Sequence, residues 1–246
     1  MENAAYIGLS RQMTLRRELD IVANNIANAD TTGFKVEQLL VGTELGERAR
    51  NAIVKPGVSF VLDNGVGRDF SQGALRQTGR TLDFAIEGEG AFFKLQDADG
   101  QEAYTRDGAF SLDPEGRLVG KGGLPVLGDG GEIVLDPTQG EVAVAADGAV
   151  SQAGAAVGRL TVVRFDALGA LEKGGDGLYR NRSNAQPLEA ADAQVRQGML
   201  EGSNVNSILE ITNLIEIQRA YERVSRMIDN TSDLSRRAVE RLGRAN

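Results

Sequence analysis

The sequence predicts an α+β protein in which long N- and C-terminal helices pair in a coiled-coil-like inner domain, with an all-β domain inserted between them. Three observations predict this class. Apolar residues recur at heptad spacing at each end of the chain, and the middle carries short apolar runs separated by turn signals. The predicted domains are residues 1–35 (first helix), 36–75 (extended connector), 76–200 (β-rich outer domain) and 201–246 (last helix).

The N-terminal helix is predicted from apolar residues spaced four, three, four and three apart, which form one narrow seam. These residues are Leu15, Leu19, Val22, Ile26 and Ala29. Turn-forming residues follow over 30–33, where Gly33 can adopt a positive φ. We therefore expect the helix to end there.

The C-terminal segment repeats this pattern from about residue 205 to 242. Its seam residues are Leu214, Ile217, Tyr221, Val224 and Ile228. Ser203 or Asn204 is the predicted N-cap, because both side chains can accept a hydrogen bond from the first turn. A seam this narrow is typical of a helix that packs against other helices rather than against a broad sheet.

The middle of the chain shows short strand-like runs bounded by turns. The runs are 58–62, 81–86, 91–95, 133–135, 141–144 and 157–165. Asp-Gly and Asn-Gly pairs between them are strong hairpin signals. Strands at this spacing favour an antiparallel sandwich or open barrel over βαβ units.

Composition excludes several functional classes. The 246 residues contain no Cys, His or Trp, so no disulfide, Cys/His zinc site or Ser-His-Asp nucleophile can be built. A net charge of −8 argues against nucleic-acid binding, which relies on Lys and Arg. No apolar stretch is long enough to span a membrane, and the acidic, Arg-interrupted start lacks the pattern of a cleavable signal peptide. We expect no cofactor, metal ion, small-molecule substrate or direct membrane insertion.

Two local patterns admit competing interpretations. The string from Asn24 to Asn28 contains three Asn residues, which as a generic pattern cap a helix end but here favour a role in fixing the register of an assembly. Asp83, Glu87 and Glu89 are three carboxylates close together in the sequence, and a pair of such carboxylates could serve a hydrolase that acts on the cell wall. We treat that hydrolase as a remote alternative, because acids near a strand end are usually solvated.

The chain resembles the flagellar axial rod and hook proteins, because it contains several of their sequence motifs in the same order along the chain. They are 19–35 near the N-terminus, 71–79, 82–90, 104–110, 116–119 and 123–128 in the body, and 202–206 and 218–222 near the C-terminus. The length and the opening residues 1–12 are most similar to proximal rod subunits, with a distal rod or hook-like axial subunit as the alternative.

This resemblance implies a structural subunit, not an enzyme. It implies export through the flagellar type III apparatus without signal cleavage, and polymerisation with itself and other rod subunits into a drive shaft that crosses the periplasm and transmits torque to the hook. The terminal helices would carry the assembly contacts. The predicted interface residues are Leu15, Leu19, Val22, Asn24, Asn25, Ile26, Asn28, Phe34, Asn204, Leu214, Ile217, Arg219, Tyr221, Val224 and Ile228.

Overall fold

The computed structural model describes residues 2–45, 59–97, 99–183 and 185–243. Its elements, in chain order, are α1 (Glu2–Ala27), β1 (Glu37–Leu45), β2 (Ser59–Arg68), β3 (Leu75–Gln77), β4 (Phe84–Glu87), β5 (Ala91–Gln96), β6 (Glu102–Thr105), β7 (Ser111–Leu112), β8 (Leu118–Val119), β9 (Leu127–Gly128), β10 (Gly131–Glu132), β11 (Val142–Val144), β12 (Ala149–Gln152), β13 (Ala155–Arg159), β14 (Val162–Arg164), a 3₁₀ turn (Leu168–Ala170), β15 (Leu171–Lys173), β16 (Tyr179–Asn181), β17 (Leu188–Glu189), β18 (Gln194–Gln197), β19 (Met199–Glu201) and α2 (Ser207–Gly243).

The α+β class is confirmed, with one helix near each end of the chain and a mostly β middle. Contacts between residues divide the chain into two compact units. The helical unit comprises the described residues of 1–27, 37–67 and 206–246, and the β unit comprises those of 28–36 and 68–205. The predicted turn after α1 is also confirmed, since Gly33 has a φ of +68°.

In the helical unit, α1 and α2 pack against each other in antiparallel directions. Gly8 lies against Ile228 near one end of the pair, and Asn25 is hydrogen-bonded to Glu210 near the other. The contacts are thus separated by 17 residues on α1 and 18 on α2, as two antiparallel helices of equal rise require. Strands β1 and β2 pair in a two-stranded sheet. The predicted connector 36–75 therefore contains β1 and β2, and its residues 46–58 lie outside the described residues.

In the β unit, the largest sheet has six strands in the order β15-β16-β6-β5-β14-β17. Each pair of neighbouring strands in this sheet is antiparallel, as predicted. Two predicted strands were wrong in detail. The run 157–165 is not one strand, because it is interrupted at residues 160 and 161 between β13 and β14, and these two strands join different sheets. The run 133–135 is not a strand, since only Val134 forms an isolated bridge there, with Arg117.

The central strand β5 shows how this sheet is buried. Alternate residues of a strand point to opposite faces. Phe93 accordingly packs in one apolar core with Phe84 and Phe110, whereas Phe92 packs in another with Tyr104 and Tyr179. Both faces of the sheet are therefore covered, and the aromatic residues of the chain are concentrated there.

Candidate assembly site and its supporting contacts

The seam predicted on α1 faces the interior only in part. Leu15 and Val22 are buried, whereas Leu19 and Ile26 are half-buried. Ile21, which the heptad pattern leaves out, is as buried as Val22. The broader buried face arises because β1 and α2 both contact α1.

The seam predicted on α2 lies along the side that contacts α1. Its five members are all half-buried: Leu214, Ile217, Tyr221, Val224 and Ile228. The helices approach closely at Gly8, where a Cβ atom would lie 2.9 Å from Cγ1 of Ile228. The seam therefore holds the two helices of one chain together.

Asn25 joins three elements of the helical unit. Its side chain is 1% exposed. Its Oδ1 accepts a 3.0 Å hydrogen bond from the backbone N–H of Glu37, and its Nδ2 donates to the Glu37 carbonyl at 2.8 Å and to Oε2 of Glu210 at 2.9 Å. The amide thus pairs with the start of β1 as a neighbouring strand would, and it also reaches α2. This arrangement differs from helix-end capping.

The other polar residues of the predicted interface lie in different surroundings. Asn24 and Arg219 are exposed, and Asn28 is half-buried in the turn after α1. The hydroxyl of Thr31 donates to Oδ1 of Asn28 at 3.1 Å. The string of Asn residues therefore does not act as one surface.

The predicted N-cap of α2 was wrong by two or three residues. The helix begins at Ser207, and Oδ1 of Asn206 accepts hydrogen bonds from the backbone N–H groups of Ile208 and Leu209 at 3.2 and 3.3 Å. Asn204 is instead held in the β unit. Its Oδ1 accepts from the N–H of Val36 at 2.8 Å, and its Nδ2 donates to the carbonyl of Asp69 at 2.9 Å.

Phe34 is also held within the β unit. Its ring is buried, and Nζ of Lys173 lies 3.8 Å from the ring centre. Its carbonyl accepts from the N–H of Asn204 at 3.4 Å. The two residues predicted as interface positions thus join the segment after α1 to the segment before α2.

Three charged residues form a buried ion cluster, which begins at the residue after Phe34. They are Lys35, Arg106 and Glu201. Nζ of Lys35 donates to Oε1 of Glu201 at 2.7 Å, and Nε of Arg106 donates to Oε2 of the same carboxylate at 2.7 Å. All three side chains are at most 1% exposed. Burial lowers the pKa of Lys35 from its ordinary value of 10.5, against the opposing effect of Glu201.

The cluster also binds four backbone groups in two short segments, 71–73 and 88–91. Lys35 donates to the carbonyl of Ser71 at 2.6 Å, and Glu201 accepts from the N–H of Gly73 at 2.8 Å. Arg106 donates to the carbonyls of Gly88 and Ala91. Sequence reasoning missed the cluster, since single charged residues so far apart in the chain give no local pattern.

The three carboxylates considered for a hydrolase do not share one environment. Asp83 is fully buried, with Arg80 3.7 Å away. Glu87 is exposed and paired with Arg196 at 2.7 Å, and Glu89 is exposed. Within the described ranges, no group of three or more acidic side chains is placed to hold a metal ion. No described helix is long and apolar enough to cross a membrane.

Three family models match the chain. They are described as flagella basal body rod protein (residues 6–35), flagellar hook protein FlgE/F/G D1 domain (residues 85–152) and flagellar basal body rod FlgEFG protein C-terminal (residues 196–241).

Full-length relatives agree with these matches. The flagellar basal-body rod protein FlgF of Caulobacter vibrioides is 59% identical, and the alignment covers 100% of both chains. FlgF of Escherichia coli is 32% identical over 98% of this chain and 99% of its own. The rod protein FlgG of Buchnera aphidicola is 33% identical over 87% and 90%.

Proposed function

Because this chain belongs to the flagellar basal-body rod proteins and is a structural rod subunit, we propose that it builds the proximal part of the rod. It is a component of the flagellar basal body and assembles with other flagellar components. Among the rod proteins, FlgF is the subunit that the opening residues 1–12 resemble and that we assign to the proximal rod. The FlgF protein of Caulobacter is 59% identical to this chain, compared with 33% for the FlgG protein of Buchnera. A distal rod position is the second candidate.

We further propose that the subunit polymerises through α1 and α2, paired in a coiled-coil-like inner domain. The observation that supports this most directly is that several large apolar side chains of both helices are exposed in the single chain. Exposed apolar surface at helical spacing is typical of a protein-binding face. Residues 1–35 and 201–246 would line the inside of the shaft, with 76–200 outside and 36–75 joining them.

The remaining parts of the proposal concern the route and the neighbours. The subunit would be exported from the cytoplasm through the type III export apparatus without cleavage of a signal peptide. It would join further copies of itself and other proximal and distal rod subunits in a shaft that crosses the periplasm and transmits torque to the hook.

Mass spectrometry of purified hook–basal bodies tests the rod role. We expect several copies of the chain in each washed particle, and its absence would contradict the rod assignment. Gold-labelled antibody on the same particles tests the position, since label at the membrane-proximal end of the shaft favours the proximal rod and label near the hook favours the distal rod.

The part played by the helices is tested with Ile217→Asp, which places a charge in the half-buried seam of α2. We expect loss of motility and of the chain from basal bodies. The matched control is Gln218→Asp, one residue further along on an exposed position. Equal behaviour of the two variants would contradict assembly through this helix pair.

A further inference from the structure

Each helix carries an exposed apolar patch that faces away from its partner helix. The α1 patch consists of Tyr6, Leu9 and Met13, which are 63%, 49% and 67% exposed. The α2 patch consists of Ile208, Ile211 and Ile215, which are 78%, 47% and 44% exposed. Both patches have spacings of three and four residues, so each forms a stripe along one side of its helix.

The two patches lie on opposite sides of the helix pair. With 3.6 residues per turn, the centre of the α1 patch is rotated by roughly 160° from the buried positions Leu15 and Val22. By the same measure, the α2 patch is rotated by roughly 130° from the seam residues that contact α1. One chain therefore presents one apolar stripe on the outer side of each helix.

The patches also lie at opposite ends of the pair. The contacts of Gly8 with Ile228 and of Asn25 with Glu210 fix the antiparallel register. In that register Leu9 is level with residue 226 or 227. Ile211 is 15 or 16 residues away along α2, which corresponds to about 23 Å at 1.5 Å per residue.

We propose that the α2 patch of one copy packs on the α1 patch of a second copy of this chain, which is displaced by about 23 Å along the helix axes. In this contact Tyr6 would lie opposite Ile215, Leu9 opposite Ile211 and Met13 opposite Ile208. The inference rests on the proposed polymerisation and specifies its partner surface.

The second copy is favoured as the partner because the two patches match each other. Both span eight residues, and the spacing of three then four along α1 lies opposite a spacing of four then three along an antiparallel α2. The contact also repeats an arrangement that the chain already contains, an α1 packed antiparallel on an α2. A copy bound in this way leaves its own α2 patch open for the next one.

This contact is heterologous, because different surfaces of the two copies meet. A heterologous contact produces a ring when the rotation closes and an open helix when it does not. An axial displacement of about 23 Å at each contact prevents closure. The arrangement of the patches therefore leads to a helical polymer, whereas a stripe that bound its own equivalent would stop at a dimer.

Engineered cysteines test this contact, because the natural chain contains no cysteine. The test variant carries Leu9→Cys and Ile211→Cys together. Within one chain these positions are about 23 Å apart along the pair, and a disulfide needs Cα atoms within about 7 Å, so only two different chains can be linked. Hook–basal bodies are purified from cells that make the variant as their only copy, oxidised and analysed by non-reducing electrophoresis.

The expected result is a ladder of covalent dimers and larger multimers of the chain that disappears on reduction. The two single variants, Leu9→Cys and Ile211→Cys, are expected to stay monomeric. Asp20→Cys with Glu222→Cys is the matched control, since both residues are exposed on the same outer sides but lie outside the patches. It is also expected to stay monomeric.

Three results would overturn the proposal. A covalent dimer from either single variant would show that a stripe binds its own equivalent. A test variant that is present in the particles but forms no ladder would exclude the second copy as the partner. The absence of both the natural and the variant chain from the particles would contradict the rod function itself, and therefore also the proposed contact between copies.

Discussion

Nζ of Lys35 lies 2.7 Å from Oε1 of Glu201, although the two residues are 166 positions apart in the sequence. Both side chains are fully buried, and the same carboxylate also binds Arg106. One buried anion therefore holds two buried cations, and it connects the segment that follows α1 with the segment that precedes α2.

Replacing Glu201 with Gln is expected to lower the free energy of unfolding of the β unit by about 3–5 kcal/mol, because two buried cations lose their counter-charge. The measurement is urea unfolding of the purified full-length chain followed by near-UV circular dichroism, to which the buried Tyr104 and Tyr179 contribute. Glu189→Gln is the control, since this glutamate is exposed and 3.9 Å from Arg159. A loss below about 1 kcal/mol for Glu201→Gln would show that the cluster contributes little.

The lowered pKa of Lys35 leads to a pH dependence of a definite sign. Between its folded-state pKa and its ordinary value of 10.5, the unfolded chain binds more protons at this residue than the folded chain does. Stability therefore increases with pH over that interval. We expect the natural chain to gain stability relative to Lys35→Met as the pH approaches 10.5, measured by urea unfolding of both proteins. A relative loss would show that the pairing with Glu201 outweighs the burial of Lys35.

Replacing Asn25 with Ala is expected to lower the stability of the helical unit by about 1–3 kcal/mol, because the backbone N–H and carbonyl of Glu37 lose the side chain that satisfies them. The loss is measured by unfolding followed at 222 nm, where helices dominate the signal. Asp20→Ala, at an exposed position of the same helix, is the control. We expect it to change the stability by no more than a few tenths of a kcal/mol. Similar losses for both variants would contradict a specific role for Asn25.

Gly73 is expected to tolerate no larger residue. A Cβ atom there would lie 2.1 Å from the carbonyl oxygen of Gly202, which is backbone and cannot rotate away. Gly73→Ala should therefore cost about 2 kcal/mol or more through overpacking. Gly130→Ala is the matched control, because nothing lies within 4 Å of its added carbon. If the two variants unfold at the same temperature, the close approach of Gly73 to Gly202 is not required for stability.

The extent to which local sequence predicted the fold differs between the helices and their contacts. The heptad spacing located both helices to within a few residues, because amphipathic periodicity is a local property. It did not include Ile21, whose burial depends on β1 as well as α2. The cap of α2 was placed at Ser203 or Asn204 instead of Asn206, since all three residues can cap a helix and only the position of the first turn selects one.

The predicted interface residues also divide into those whose position follows from local spacing and those whose contacts depend on distant segments. The heptad positions on α2 lie on the side that meets α1, as their spacing requires. Phe34, Asn25 and Asn204, which were also predicted as interface residues, are bonded within their own units. Their role in assembly stays a prediction. In that role they would hold the subunit in the shape that its neighbours bind.

By itself, the sequence determined the two terminal helices, the antiparallel β middle and the absence of cysteine and histidine chemistry, because each follows from composition or from spacing within a few residues. Only the tertiary structure decided that Lys35, Arg106 and Glu201 form one buried cluster and that Asn25 binds the start of β1. It also decided which apolar stripes stay exposed. The physical reason is that burial and pairing depend on which distant segments the fold brings together, and residues 95 or 166 positions apart leave no trace of their contact in local spacing.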